Sequence, residues 1–423
     1  MSVIEMASEL VFTAGVSLRA VPQVMRVMVR WLRSQAGLLL EGVVRDWTTG
    51  RWWLLRLGYA ALTEPRVMAD DWVYLIDHTM QVGQLKFFLI LGLRLSKTDW
   101  QGRSLRHGDV QVLSLVPMTH SNAKRVEEEL EVTARQTGNP RAILSDHGAD
   151  VKGGVEAFCQ AHPRTAAIYD IAHKGACLLK HRFEQDPRWS AFLQQMRQTK
   201  AQMQQTELAY LVGPSLRLKA RYMNLGPVLR WARLTLGILE RTPAEAKERP
   251  RLEEKLGWLR DYREPLTDWL AQYETVQTAV RFVRREGLYP GAERELAVQQ
   301  QQGETTPSAC QLAKDLRAFV ADQSRQVRPG ERLPGSTEVL ESCFGKWKTF
   351  ERQQAKQGFA ASILGLPAML GSWTKQRILE ALNRVPVRAV QDWCHENLGI
   401  TTQAQRRMAY APTECKPNPN ERK

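Results

Sequence analysis

The sequence predicts an α/β protein. A mixed β-sheet carries helices on its faces, a helical segment precedes it, and a long all-helical stretch interrupts it. Three observations over the 423 residues lead there. Residues 70–183 alternate strand-like runs with helical ones. No convincing strand is found from about 184 to 330. The first 65 residues show helical rather than two-residue periodicity.

Residues 1–65 come first. "LRAVPQVMRVMVRWLRSQAG" ends at a glycine stop, and "DWTTGRWWLLRLGYAAL" follows. Asp46 or Thr48 can cap this second helix, which presents Arg51 and Arg56 with tryptophans, and Gly58 is expected to interrupt or end it. Two helices joined through a turn, the second basic, suggest a helix-turn-helix reader of duplex DNA. A small helical bundle capping the next domain is the simpler alternative.

From 70 to 183 the pattern changes. "DWVYLIDHTMQV", "QLKFFLILGLRL" and "DVQVLSLVPM" are rich in branched and aromatic residues and read as three strands. "SNAKRVEEELEVTARQTG" opens on Ser121 or Asn122 and closes on Gly138, as a capped helix does. "RAILSDHG" reads as a buried strand, "DVKGGVEAFCQAH" as a helix, and "TAAIYDIAH" as a strand running into the helical "KGACLLKHRF". The order β-β-β-α-β-α-β-α is an antiparallel meander followed by strand–helix alternation.

Residues 184–335 carry apolar residues at helical spacing, with a helix start expected at Thr242-Pro243 and connections at "QQQQGETTPS" and "RQVRPGERLPGS". Residues 336–411 are helical again, beginning at "STEVLESCFGKWK" with Ser336 or Thr337 as cap. The polar, Pro/Asn-rich residues 412–423 read as a disordered tail.

Composition limits the function classes. An apolar share of 43% suits a globular protein with a real core. An excess of 59 Lys and Arg over 45 Asp and Glu gives +14, which favours a polyanionic partner such as nucleic acid. The six cysteines form no C-x-x-C pair, which argues against a zinc knuckle or disulfide framework. The N-terminus lacks a basic n-region, and the run "FFLILGL" is too short to span a bilayer. A cytoplasmic protein with no membrane partner is the expectation.

Two carboxylates stand out because each ends an apolar run: Asp77 after "VYLI" and Asp146 after "AILS". An ionised carboxylate there is costly unless it is solvated, hydrogen-bonded or bound to metal. On neighbouring strands the pair would repel, one pKa would rise, and a divalent cation would relieve it. Oxygen ligands of this kind suit Mg²⁺. Each Asp simply ending a strand at the surface is the plainer reading.

"VYLIDHT", "AILSDHG" and "VLESCFGKWK" resemble the DDE transposases of bacterial insertion sequences, whose catalytic core is RNase H-like. "YDIAHK" is similar to their [C/D]-x-x-H motif through Asp170 and His173. Glu341 and Lys348 are similar to the E-x6-K part of one group's signature, although Thr337 stands where that signature has Arg. The gap from Asp146 to Glu341 is too long for one crossover, and similar transposases carry an insertion there, which matches the helical 184–335.

The resemblance implies catalytic, metal-binding roles for Asp77, Asp146 and Glu341, with two Mg²⁺ ions (Mn²⁺ as substitute) and phosphoryl transfer. It implies binding of terminal inverted repeats and target DNA by a homodimer or larger synaptic complex, in a bacterial cytoplasm at the nucleoid. Asp170 and His173 would lie beside the metal site and help orient DNA, or else form a structural pair in the core, a histidine bonded by a neighbouring carboxylate. Lys348, two helical turns and about 10 Å beyond Glu341, would grip a phosphate, with Lys346 nearby. His78 and His147 should point away from the site. In the insertion, Arg217, Lys219 and Arg221, then Arg230 and Arg233, then Arg281, Arg284 and Arg285 form basic clusters. Trp231, Tyr222 and Phe282 among them could stack on bases or belong to the core. A nuclease or resolvase without strand joining, and a catalytically silent DNA-binding descendant, are the competing functions.

Overall fold

The computed structural model describes residues 3–36, 46–82, 85–215, 221–301, 306–354, 360–399, 406–407 and 409–410. Five strands form one sheet. β1 (Trp72–Val82) and β2 (Leu85–Arg94) are antiparallel, and β3 (Val110–Met118) continues the meander beside β2. β4 (Ala142–Ser145) then runs parallel to β1, and β5 (Ala166–Tyr169) parallel to β4. The order β3-β2-β1-β4-β5 is the RNase H-like sheet implied by the motifs.

Alternation along the strands divides the core in two. Trp72, Tyr74, Ile76, Phe88 and Ile90 face α4 (Ala123–Thr137) and α5 (Ala149–Ala161), with Val126, Leu130, Val155 and Phe158 as partners. Val73, Leu75, Leu89, Leu91 and Leu144 lie on the other face, in the core shared with the remaining helices. Asn122 caps α4 by accepting from the Arg125 N–H, and Gly138 ends it at φ +86°, a conformation glycine adopts without strain. Both strand content and cap placement follow the sequence pattern.

The N-terminal residues form α1 (Val3–Phe12), α2 (Val21–Ala36) and α3 (Trp47–Leu62), and Asp46 caps α3 through the Thr48 N–H. Contrary to expectation, α3 runs straight through Gly58. It packs on β3 and on the C-terminal helices α14 (Gly365–Leu370) and α15 (Lys375–Arg384). Gly58 serves close packing: a Cβ there would overlap the Leu364 carbonyl oxygen. Leu54, Leu55, Leu57 and Ala60 are buried, so much of α3 is core. The turn joining α2 to α3 lies outside the described residues.

After β5 come α6 (Ile171–Gln185), α7 (Pro187–Met203), α8 (Gly226–Arg241), α9 (Arg249–Leu256), α10 (Arg263–Glu286), α11 (Ala292–Gln300) and α12 (Pro307–Ser324). α10 is the axis of this group and packs against α6, α8, α11 and α12. Thr242 closes α8 rather than opening a helix, its N–H bonding Ile238 O; the missing helix start at Thr242-Pro243 is a correction. Among the described residues here, the only β-type pairing is the bridge Leu288–Leu333. α13 (Glu338–Gln353) returns to pack against β1, and α16 (Val387–Leu398) against α3. The expected tail, 412–423, lies outside the described residues. Among the described residues, no helix is long and apolar enough to cross a membrane.

Candidate active site

β1 and β4 pair in the register Val73–Ala142, Tyr74–Ile143, Leu75–Leu144. Two further steps place Asp77 opposite Asp146, one strand spacing (about 5 Å) apart. β4 and β5 pair up to Ser145–Tyr169, so Asp170 follows at the same level. Three aspartates therefore lie level across three adjacent strands: Asp146 and Asp170 directly follow β4 and β5, whereas Asp77 sits inside β1, which runs on beside β2 to Val82 and so does not end at this acid as the apolar run suggested. Asp77 shares the face of Val73 and Leu75, which is the face on which α13 packs.

The turn after β4 is tight. His147 is the only non-glycine with positive φ among the described residues (59°), and its ring stacks on Tyr169 at 4.1 Å. The Gly148 N–H donates to Asp146 Oδ1 at 3.0 Å, leaving the rest of that carboxylate available. His78 points to the opposite face, against Phe88 and α5, where its Nε2 lies 2.9 Å from Asp150 and 2.8 Å from Ser121 Oγ. Both partners meet the same ring nitrogen, so this is a brace and not a nucleophilic triad.

Electrostatics link the acids. Burial first, and then Asp146, push the Asp77 carboxyl up to about 7; Glu341 adds to this while His173 opposes it. Glu341 is also raised, first by loss of solvent, with His173 and Arg284 opposing and Asp170 and Glu338 adding. Burial alone would lower His173, but Asp170, then Asp146 and Glu341, drive it up to about 9. Asp170, Asp146 and Glu341 thus favour the charged form of His173. Its Nδ1 is 3.7 Å from Asp170 Oδ1, an ion-pair distance rather than a hydrogen bond.

Asp170 has a different setting from the one expected. It is 1% exposed. Its Oδ1 accepts from the N–H groups of Ala172 (2.5 Å) and His173 (2.9 Å), capping α6. Its Oδ2 accepts from the Thr337 N–H and hydroxyl, both at 2.5 Å. Asp170 therefore faces protein on every side and cannot itself touch DNA.

Glu341 stands on the first turn of α13 beside an open groove of about 910 Å³. Lys348 and Arg352 line the groove from α13, Arg284 from α10, and Tyr222 and Tyr273 from the insertion. Sequence reasoning missed Arg352, although 341, 345, 348 and 352 make one helical stripe that could have found it. Lys346 is separated from this set, close enough to His107 to help burial lower that imidazole. Glu338 pairs with Arg284 at 2.8 Å, so the first-turn acid anchors the insertion rather than the sheet.

The other basic candidates disperse. Arg56 donates to the carbonyls of Val385 (2.7 Å) and Leu382, closing the C-terminal end of α15, and is not the free DNA contact expected of it. Arg51 lies over the Trp52 ring at 5.7 Å. Arg285 Nε donates to Gly102 O, and Arg281 to Thr278. Arg230 and Arg233 are exposed on α8. Arg217, Lys219 and the Arg221 side chain lie outside the described residues. Of the aromatics, Phe282 and Tyr222 are buried in the large core, and Trp231, partly buried against that core, donates to Leu211 O.

Among the described residues no three His, Cys, Asp or Glu side chains gather tightly enough to hold a metal by themselves. The donor chemistry nevertheless fits Mg²⁺, which commonly takes one or two carboxylates and completes its shell with water and phosphate oxygens. Asp77 and Asp146 supply that pair, and the upward push on Asp77 is the cost a cation would remove.

A scan against protein-family models gives no match, and neither does a search of curated proteins. Among solved structures, the chain is similar to the Drosophila P element transposase strand transfer complex. The identity is 10% and the TM-score 0.37, over 90% of this chain and 91% of that one.

Proposed function

We propose that the protein is a DNA transposase that cuts at terminal inverted repeats and joins the ends to target DNA by metal-dependent phosphoryl transfer. The observation that carries this is the register of β1 and β4, which sets Asp77 level with Asp146 on the face where α13 brings Glu341. Asp77, Asp146 and Glu341 would hold two Mg²⁺ ions. Those ions, when bound, would supply activation of the attacking oxygen and neutralisation of the leaving one.

The remaining work falls to this chain's own groups. Lys348 and Arg352 line the groove leading from Glu341 and would neutralise successive phosphates, positioning the strand for in-line attack, while Arg284 on the same groove is already paired with Glu338. The protonated form of His173, which the neighbouring acids favour, would temper their repulsion and favour an approaching phosphate. The net charge of +14 supports a DNA partner and long-range steering toward it. Pairing two ends requires at least a dimer on DNA.

The test is incubation with the DNA that flanks the coding sequence and Mg²⁺. Cut ends and a strand-transfer product are expected. Cutting without joining would point to a nuclease, and binding without cutting to a silent descendant.

A further inference from the structure

The Asp170-x-x-His173 motif is not used up by metal or DNA binding, because Asp170 is buried and all its contacts are within the protein. Its partner Thr337 lies at the far end of the insertion, where the chain returns to the sheet. Two connections close the return: the Ile171 N–H donates to Gly335 O at 3.0 Å, and Thr337 gives both its N–H and its hydroxyl to Asp170 Oδ2. Gly335 is hemmed in as well, since a Cβ there would stand 2.5 Å from Val283 Cγ1 of α10. Thr337 immediately precedes α13, and its carbonyl accepts from Leu340 (2.8 Å) and Glu341 (3.4 Å). Its hydroxyl does not cap α13; Ser336 Oγ instead accepts from the Glu338 N–H at 3.3 Å.

We infer that Asp170 is a positioning residue for Glu341: one buried carboxylate clamps the start of α6 to the start of α13, and so fixes the carboxylate of the returning helix against the sheet. A long insertion between two halves of one site needs such a device, because the helix carrying Glu341 is otherwise placed by distant chain. Thr337 supplies a short hydroxyl that reaches this clamp from the turn before the helix. The inference rests on the reading of Asp77, Asp146 and Glu341 as a metal site, but its first arm does not.

The experiment compares wild type, Thr337→Val, Thr337→Ser, Asp170→Asn and Glu341→Gln in the full chain without DNA. Hydrogen exchange of the 336–345 amides reads the clamp, and depletion of free Mn²⁺ by electron paramagnetic resonance reads metal binding. Thr337→Val should keep its global fold, exchange at the start of α13 about tenfold faster, and bind Mn²⁺ about tenfold more weakly. Thr337→Ser should restore both, which a purely structural methyl contact would not. Asp170→Asn should exceed Thr337→Val, and the valine variant keeps the test decisive if the asparagine variant does not fold. Unchanged exchange in folded Thr337→Val overturns the inference, as does faster exchange with Mn²⁺ binding intact. Mn²⁺ binding that is identical in wild type and Glu341→Gln marks failure of the metal reading instead, and the exchange arm then decides the clamp alone.

Discussion

Asp77, inside β1, and Asp146, just after β4, lie level on neighbouring parallel strands, and burial together with Asp146 lifts the Asp77 carboxyl from 3.8 to about 7. A carboxyl whose folded pKa is raised holds its proton more tightly when folded. Its contribution is therefore full below the unfolded value and is lost as pH climbs toward 7. For metal-free protein this amounts to as much as about 4 kcal/mol. Asp77→Asn should flatten that part of the stability–pH curve while abolishing metal-dependent cutting; urea titrations from pH 4 to 8 check it.

Asp170 carries the opposite sign. Burial alone would raise it, but His173 and the Thr337 donors outweigh burial and hold its pKa below the ordinary carboxylate value. Its contribution is full above that value and disappears as pH falls through the folded pKa. Asp170→Ala strands the Ala172, His173 and Thr337 donors, and should cost about 3 kcal/mol or more at neutral pH. Chemical denaturation at pH 7 measures it.

Gly58→Ala is a test of how α3 is seated. In an exposed helix the change would gain up to about 1 kcal/mol. Here the new Cβ meets the Leu364 carbonyl, so the variant should lose several kcal/mol and melt well below wild type in a thermal scan.

Arg56→Ala and Lys348→Ala should behave oppositely. Arg56 closes carbonyls at the end of α15, so its loss should cost about 1–3 kcal/mol and leave the salt dependence of DNA affinity unchanged. Lys348 is exposed on the groove, so its loss should leave stability within about 0.5 kcal/mol and reduce the salt slope by about 1. Melting curves and affinities over a salt series separate the two.

The strands and the first two acids were legible because each signal is local: an apolar run broken by an acid stands out wherever the strand lies, although only Asp146 follows the end of its strand and β1 runs on through Asp77 to Val82. The sheet order was legible only through the motifs, since parallel pairing of β4 with β1 leaves no local trace. What the sequence hid depends on partners distant along the chain. Asp170 looks the same in "YDIAHK" whether it faces DNA or Thr337, and 167 positions separate that pair. Arg56 reads as a basic helix residue until α15 is seen beneath it. Gly58 reads as a helix stop until Leu364 occupies the space its side chain would need. His147 gave no sign of its left-handed backbone: histidine adopts it more readily than most non-glycine residues, but still in a small minority of cases.

The central claim is that Asp77, Asp146 and Glu341 act together on DNA. The most direct measurement is Mg²⁺-dependent cutting of the flanking DNA by wild type and by Asp77→Ala, Asp146→Ala and Glu341→Ala, each first shown to be folded and to bind that DNA. The wild type should cut, and each variant should lose at least about a thousandfold in rate while retaining binding. Cutting by Asp146→Ala at the wild-type rate would contradict the account.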